Sequence, residues 1–170
     1  MRNVKRFLGL ALAVVLAFTV NPVSVSAKEN IQTMDIVDKS NIGNNEGVTY
    51  EGENNFETSR LARGNGIVSA SLRVTPRTSE ILIEVSTGSS FVASEIGVKN
   101  VYVQEKVWYG WKTIAQAADY DTNTYLYAGQ CHCTNATKGK TYRVLCTHYA
   151  IESNGTEHVV ENQSEEFVYN

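Results

Sequence analysis

Four short stretches of this 170-residue chain hold the side chains that could do chemistry. Cys131, Cys133, Cys146 and His148 together offer three thiolates and an imidazole, a donor set suited to zinc. The Cys131-His132-Cys133 spacing is tighter than a structural zinc knuckle, and an oxidising compartment would compete for the thiols, so no metal is expected. Cys146 and His148, two apart, would share one strand face as a nucleophile and base must. No orienting carboxylate or oxyanion hole accompanies them, so no catalytic residue is assigned.

Val107-Trp108-Tyr109-Gly110-Trp111-Lys112 is the most distinctive stretch. A two-residue turn at Tyr109-Gly110 would set Trp108 and Trp111 opposite one another. That makes either a cross-strand aromatic pair or, with Tyr109, an exposed platform for sugar rings or peptide. Asp119-Tyr120-Asp121-Thr122-Asn123 has oxygens for calcium but lacks the glycine-bounded EF-hand pattern, and reads as a solvated turn. His132 and His158 read as solvent-facing strand residues. Sequons at Asn135, Asn154 and Asn162 mark expected surface positions.

The chain around these stretches falls into three parts. Arg2, Lys5 and Arg6 precede an apolar or small run from Phe7 to Val20, and Val25-Ser26-Ala27 offers small side chains for a signal peptidase. Residues 1–27 therefore read as a signal peptide cleaved after Ala27. A helix of the Phe7–Val20 length would reach about 21 Å, short of the ~30 Å hydrocarbon core, which argues against an anchor. No cysteine follows to carry a lipid, so a released, extracellular product is expected. Cleavage moves the net charge from −3 three units further negative. Such a balance excludes the basic footprint of nucleic-acid binding and capture by an anionic membrane.

Residues 28–65 are dense in Asn, Glu, Asp and Gly, and read as a polar, mostly disordered spacer. Val48–Glu51 is a candidate short strand. Arg60 and Arg63 are cleavable by a trypsin-like protease but fit an exposed linker better.

From Gly66 the texture changes. Ile67–Val74, Ile81–Val85, Ile96–Val107, Trp111–Ala117, Tyr125–Cys133, Tyr142–Tyr149, His158–Val160 and Glu166–Tyr169 are rich in β-branched and aromatic residues. Turn signals at Thr75–Thr78 and Gly88–Ser90 separate them. About seven strands at such intervals predict an all-β sandwich over 66–170, one domain without helix.

The stretch Ala136-Thr137-Lys138-Gly139-Lys140-Thr141-Tyr142-Arg143-Val144 resembles the E–F corner of a fibronectin type III, immunoglobulin-like β-sandwich. There a tyrosine opens strand F and bonds back to the corner, a role the resemblance gives to Tyr142. Ile96–Val101, Gly110-Trp111 and Tyr142–Ala150 also resemble small secreted domains of unknown function from Gram-positive gut anaerobes. The likeness covers about residues 66–169 and implies architecture without activity. Three cysteines, and a tryptophan on each side of Tyr109-Gly110, depart from it. Matching the corner to the fibronectin pattern turns Cys131, Cys133 and Cys146 inward. A Cys131–Cys146 disulfide is then favoured, with Cys133 as the alternative partner of Cys146 and one thiol left over.

The functional expectation is a non-catalytic binding or adhesion-type module without cofactor, its partner an extracellular carbohydrate or protein met at Trp108, Tyr109 and Trp111. The alternative is a structural cell-envelope or matrix protein that self-associates by edge strands or the odd cysteine. A small hydrolase ranks last. The oligomeric state is not legible.

Overall fold

The computed structural model describes residues 30–38, the backbone of 56–60, and 66–170. The signal peptide and its cleavage site, the Val48–Glu51 stretch and Arg63 lie outside the described residues. The strands are β1 (Gln32–Thr33), β2 (Val37–Asp38), β3 (Phe56–Arg60), β4 (Ile67–Pro76), β5 (Ile81–Ala93), β6 (Glu95–Val107), β7 (Gly110–Asp121), β8 (Thr124–Cys133), β9 (Thr141–Ile151), β10 (Glu157–Gln163) and β11 (Phe167–Val168). The fold is all-β, in two sheets. One runs β1-β7-β6-β9-β10, with β11 pairing the start of β9; the other runs β2-β8-β5-β4-β3.

Alternation builds these strands. In β4, Ala70, Leu72 and Val74 are buried while Ser71 and Arg73 lie outside; in β9, Tyr142, Val144, Cys146, His148 and Ala150 point inward. A period of 2 puts one face of each sheet against the other, and the core fills the space between. β5 continues through Gly88–Ser90, where the turn signal predicts an end. A Cβ on Gly88 would sit 2.4 Å from Ser69 Oγ, so this glycine admits a close neighbour and does not turn the chain. The chain then changes sheet across Ser94, whose backbone N–H and Oγ both donate to the Ile151 carbonyl, at 2.8 and 3.0 Å.

β6 contains an insertion. Val98 and Val101 are both buried although three residues apart, which unbroken alternation forbids. The ladder shifts register there against both β7 and β9, and Asn100 takes a φ of 54°. Asn100 is the extra residue of a β-bulge, and asparagine tolerates the left-handed region better than most.

Residues 30–38 and 56–60, inside the stretch read as disordered spacer, form strands. β3 extends the edge beyond β4, from Phe56↔Val74 to Arg60↔Ala70. Segment 30–38 runs along the opposite side, pairing with β7 and then with β8, and buries Met34. Met34 and Ile36 share a parity over too few residues to register as a periodic pattern. They are ordered by an existing gap between the sheets, which spares them the chain entropy of forming a core of their own.

Candidate functional site

The β6–β7 hairpin carries the aromatic group. Its ladder closes with Lys106↔Trp111 and Val107↔Gly110, so the two tip residues are Trp108 and Tyr109. The expected Tyr109-Gly110 turn is thus one residue out of place. Gly110 follows the turn, at a φ of 133° that L side chains rarely adopt. A glycine at positive φ immediately after two turn residues lets the second strand rejoin a twisted ladder. The shift separates the tryptophans: they do not face each other across the hairpin. Trp108 is 95% exposed and Tyr109 62% exposed, their rings edge-to-face with centroids 5.1 Å apart. Trp111 is half-buried on the outer face of the sheet, with the Arg143 guanidinium 4.3 Å from its ring centroid and Lys106 Nζ at 5.6 Å. Cations over an indole face at such distances are attracted by its quadrupole.

From Trp111 a row of planar polar groups follows the same outer face. Arg143 Nε donates to Gln104 Oε1 at 2.9 Å and Arg143 Nη1 to Gln163 Oε1 at 3.4 Å, while Gln104 Nε2 donates to Thr113 Oγ1 at 3.3 Å. Beyond them a groove of about 410 Å³ opens over Leu145 and Thr147, walled by Asn100 and Tyr102 on one side and Glu161 and Gln163 on the other. Tyr102 Oη donates to Asn100 Oδ1 at 2.9 Å, so the bulge residue fixes one wall. Ion pairs flank the row: Lys106–Glu166 at 2.7 Å and Lys99–Glu157 at 2.6 Å. Amides, a phenol and a carboxylate beside an aromatic face can exchange hydrogen bonds with neighbouring hydroxyls while a ring stacks. The groove was not legible in the sequence, since its walls come from β6 and β10, which lie apart in the chain and never pair. Parity alone would have put Tyr102, Leu145 and Gln163 on one face.

The thiols and His148 lie inside. Cys131, Cys133 and Cys146 are all buried free cysteines, so the expected Cys131–Cys146 disulfide, and its Cys133 alternative, are not formed in this structure. Cys131 on β8 and Cys146 on β9 come from opposite sheets, close enough for charge on Cys131 to disfavour charge on Cys146. Burial, then neighbouring Cys133, pushes the Cys131 thiol up to about 12; burial pushes Cys133 up to about 11 and Cys146 higher still. They stay protonated near neutrality, poor nucleophiles and poor metal ligands. No group of three His, Cys, Asp or Glu placed to hold a metal occurs among the described residues.

His148 is fully buried and joins the two sheets. Thr87 Oγ1 donates to the Gly97 carbonyl at 3.1 Å, which commits its only proton; His148 Nδ1 then donates to Thr87 Oγ1 at 2.8 Å. That tautomer leaves Nε2 as acceptor for Asn162 Nδ2 at 3.4 Å, and Asn162 Nδ2 also donates to the Ala70 carbonyl at 3.2 Å. The chain of bonds assigns every proton along it. Burial lowers the imidazole to about 4, so it is neutral. Asn162, read as a surface sequon, is 3% exposed in this network, whereas Asn135 and Asn154 are exposed.

The remaining candidates have packing roles. Tyr142 Oη accepts from the Thr137 N–H at 2.8 Å, with the Thr137 carbonyl at 3.3 Å and Glu105 Oε2 at 3.4 Å as acceptors for its proton. Asp119 accepts from Tyr127 Oη at 3.1 Å, which ties the acidic stretch to the core. His158 is not solvent-facing: it packs on Phe91, ring centroids 5.4 Å apart, and bonds Glu152 at 2.7 Å. His132 is partly exposed and meets Glu80 at 3.1 Å. No protein-family model, curated protein or solved structure matches the chain.

Proposed function

We infer that this is an exported, non-catalytic binding module that takes a carbohydrate chain along the hairpin tip and the outer face of the β7-β6-β9-β10 sheet. The observation that carries it is Trp108, 95% exposed at the hairpin tip beside Tyr109. An indole held wholly in water forgoes roughly 2 kcal/mol or more of burial, and contact with a partner recovers it. The Trp111–Arg143–Gln163 row and the groove behind it supply the polar half of such a site. Export rests on the residue 1–27 pattern. A fibronectin type III-like frame is supported by β4, β5 and β8 facing β7, β6, β9 and β10, and by Tyr142 at the start of β9. The non-catalytic reading is supported by Cys146 and His148, the one nucleophile–base candidate, being walled into the core.

Purified protein is titrated with mucin glycans and plant polysaccharides while tryptophan fluorescence is followed. A saturable shift that Trp108→Ala abolishes is expected. A flat response across the panel overturns the carbohydrate reading and leaves protein ligands for the tip.

A further inference from the structure

Without segment 30–38, β7 and β8 would be the edge strands on one side of the two sheets. Segment 30–38 lies along that side. β1 pairs in parallel with β7 at Gln32↔Ala115 and Thr33↔Gln116, and the Met34 N–H donates to the Gln116 carbonyl at 2.8 Å. Three residues on, β2 pairs antiparallel with β8 at Val37↔Gln130 and Asp38↔Gly129.

The seat is shaped for this segment. Met34 is only 4% exposed. A Cβ on Gly129 would lie 2.4 Å from Ile36 Cγ2 and 2.8 Å from Tyr127 Oη, so residue 129 makes room for Ile36 beside the Tyr127 ring by having no side chain. Gln32 Oε1 accepts from the N–H groups of Thr134 and Asn135 at 3.0 and 3.2 Å, and its Nε2 donates to the His132 carbonyl at 3.3 Å. One side chain thereby serves the free edge at the end of β8, whose other edge pairs with β5, and the two residues that follow it.

We propose that segment 30–38 is an exchangeable strand and that its seat accepts the same segment from a second copy of this chain, so that copies assemble by strand exchange. Nothing local ties the segment to its own seat. A parallel β1 cannot belong to a tight hairpin, and β2 and β3 sit at opposite edges of one sheet, four strand spacings or about 19 Å apart. The 17 residues 39–55 between them can reach up to about 60 Å, far more than that crossing needs. Preference for the chain's own segment then rests on effective concentration, which a crowded assembly of copies matches. The segment is held by two ladders of two pairs, while the long strands pair fully without it. An empty seat would leave two strand edges and the side of the core open, so release is compensated only by another strand.

Complementation tests this. Gly129→Val blocks the seat and leaves the segment intact; Met34→Asp with Ile36→Asp spoils the segment and leaves the seat intact. Each full-length variant alone should stay monomeric by light scattering, and their mixture should form a one-to-one complex after brief warming. A labelled peptide of residues 30–38 should load onto the spoiled-segment variant about tenfold more than onto wild type, whose own segment competes. If either variant fails to fold, uptake of the labelled peptide by warmed wild-type chain, against a scrambled peptide, decides the matter. No mixed complex from folded variants, or no preference over the scrambled peptide, overturns the proposal and makes 30–38 a fixed part of its own fold.

Discussion

The hairpin tip and the His148 line put side chains with polar atoms to opposite ends. At the tip, Trp108 and Tyr109 stand largely in water, ring edge to ring face. Between the sheets, His148 is closed off, and its bonds to Thr87 and Asn162 extend to backbone carbonyls at Gly97 and Ala70. Residues suited to chemistry thus divide by access. Those inside spend their polarity on joining two sheets, and those outside keep theirs in solvent, where the proposed binding would use it. Changes inside should be read in stability, and changes at the tip in binding.

Replacing His148 by Ala should have the largest effect. It opens a cavity and strands Thr87 and Asn162 in the core, for a loss of about 3 kcal/mol or more in denaturant unfolding. A loss under 1 kcal/mol would mean that the line is not a structural joint.

Acid should act through the same residue with nearly the same weight. Between the ordinary 6.5 and about 4 the unfolded imidazole binds a proton that the folded one refuses. Its contribution is therefore intact above 6.5 and is lost as pH falls toward 4, on the order of 3 kcal/mol in total. Unfolding curves of wild type and His148→Gln across that window should converge as pH drops. Parallel curves would show that other groups set the acid limb.

Tyr142→Phe comes next. It leaves the ring packed near Phe167 and Tyr169 but removes the acceptor of the Thr137 N–H, at a cost of about 1–2 kcal/mol. Trp108→Ala should change stability least, within about 0.5 kcal/mol by thermal unfolding. A clear destabilisation there would blur the contrast, because the tip would then be part of the frame.

Much of the frame was legible because long stretches of β4–β10 alternate, and a period of 2 leaves few options for Leu72, Ile83 or Val144. The misses share a cause. Segment 30–38 gains its order from a gap made by β7 and β8, so Met34 and Ile36 look like stray apolar residues in polar sequence. Gly88 resembles a turn residue until Ser69 is set across from it. Asn162 resembles a surface sequon until the opposite sheet arrives. The hairpin was found but its tip was misplaced by one residue, because Gly110 marks the return of the strand as readily as the turn. The groove needed two strands that never pair to be laid side by side.

Asn100 has a consequence for how this molecule could change over generations. Without it, Val98, Lys99, Val101, Tyr102 and Val103 would alternate inward and outward unbroken, opposite the same partners on β7 and β9 as now. A three-nucleotide deletion at that codon would remove the Asn100 part of one wall of the groove, relieve a left-handed residue worth about 1 kcal/mol or more, and leave every other side chain on its face. The contour of the outer surface is therefore separable from the architecture beneath it, and a single-codon change can reshape the groove without risking the fold.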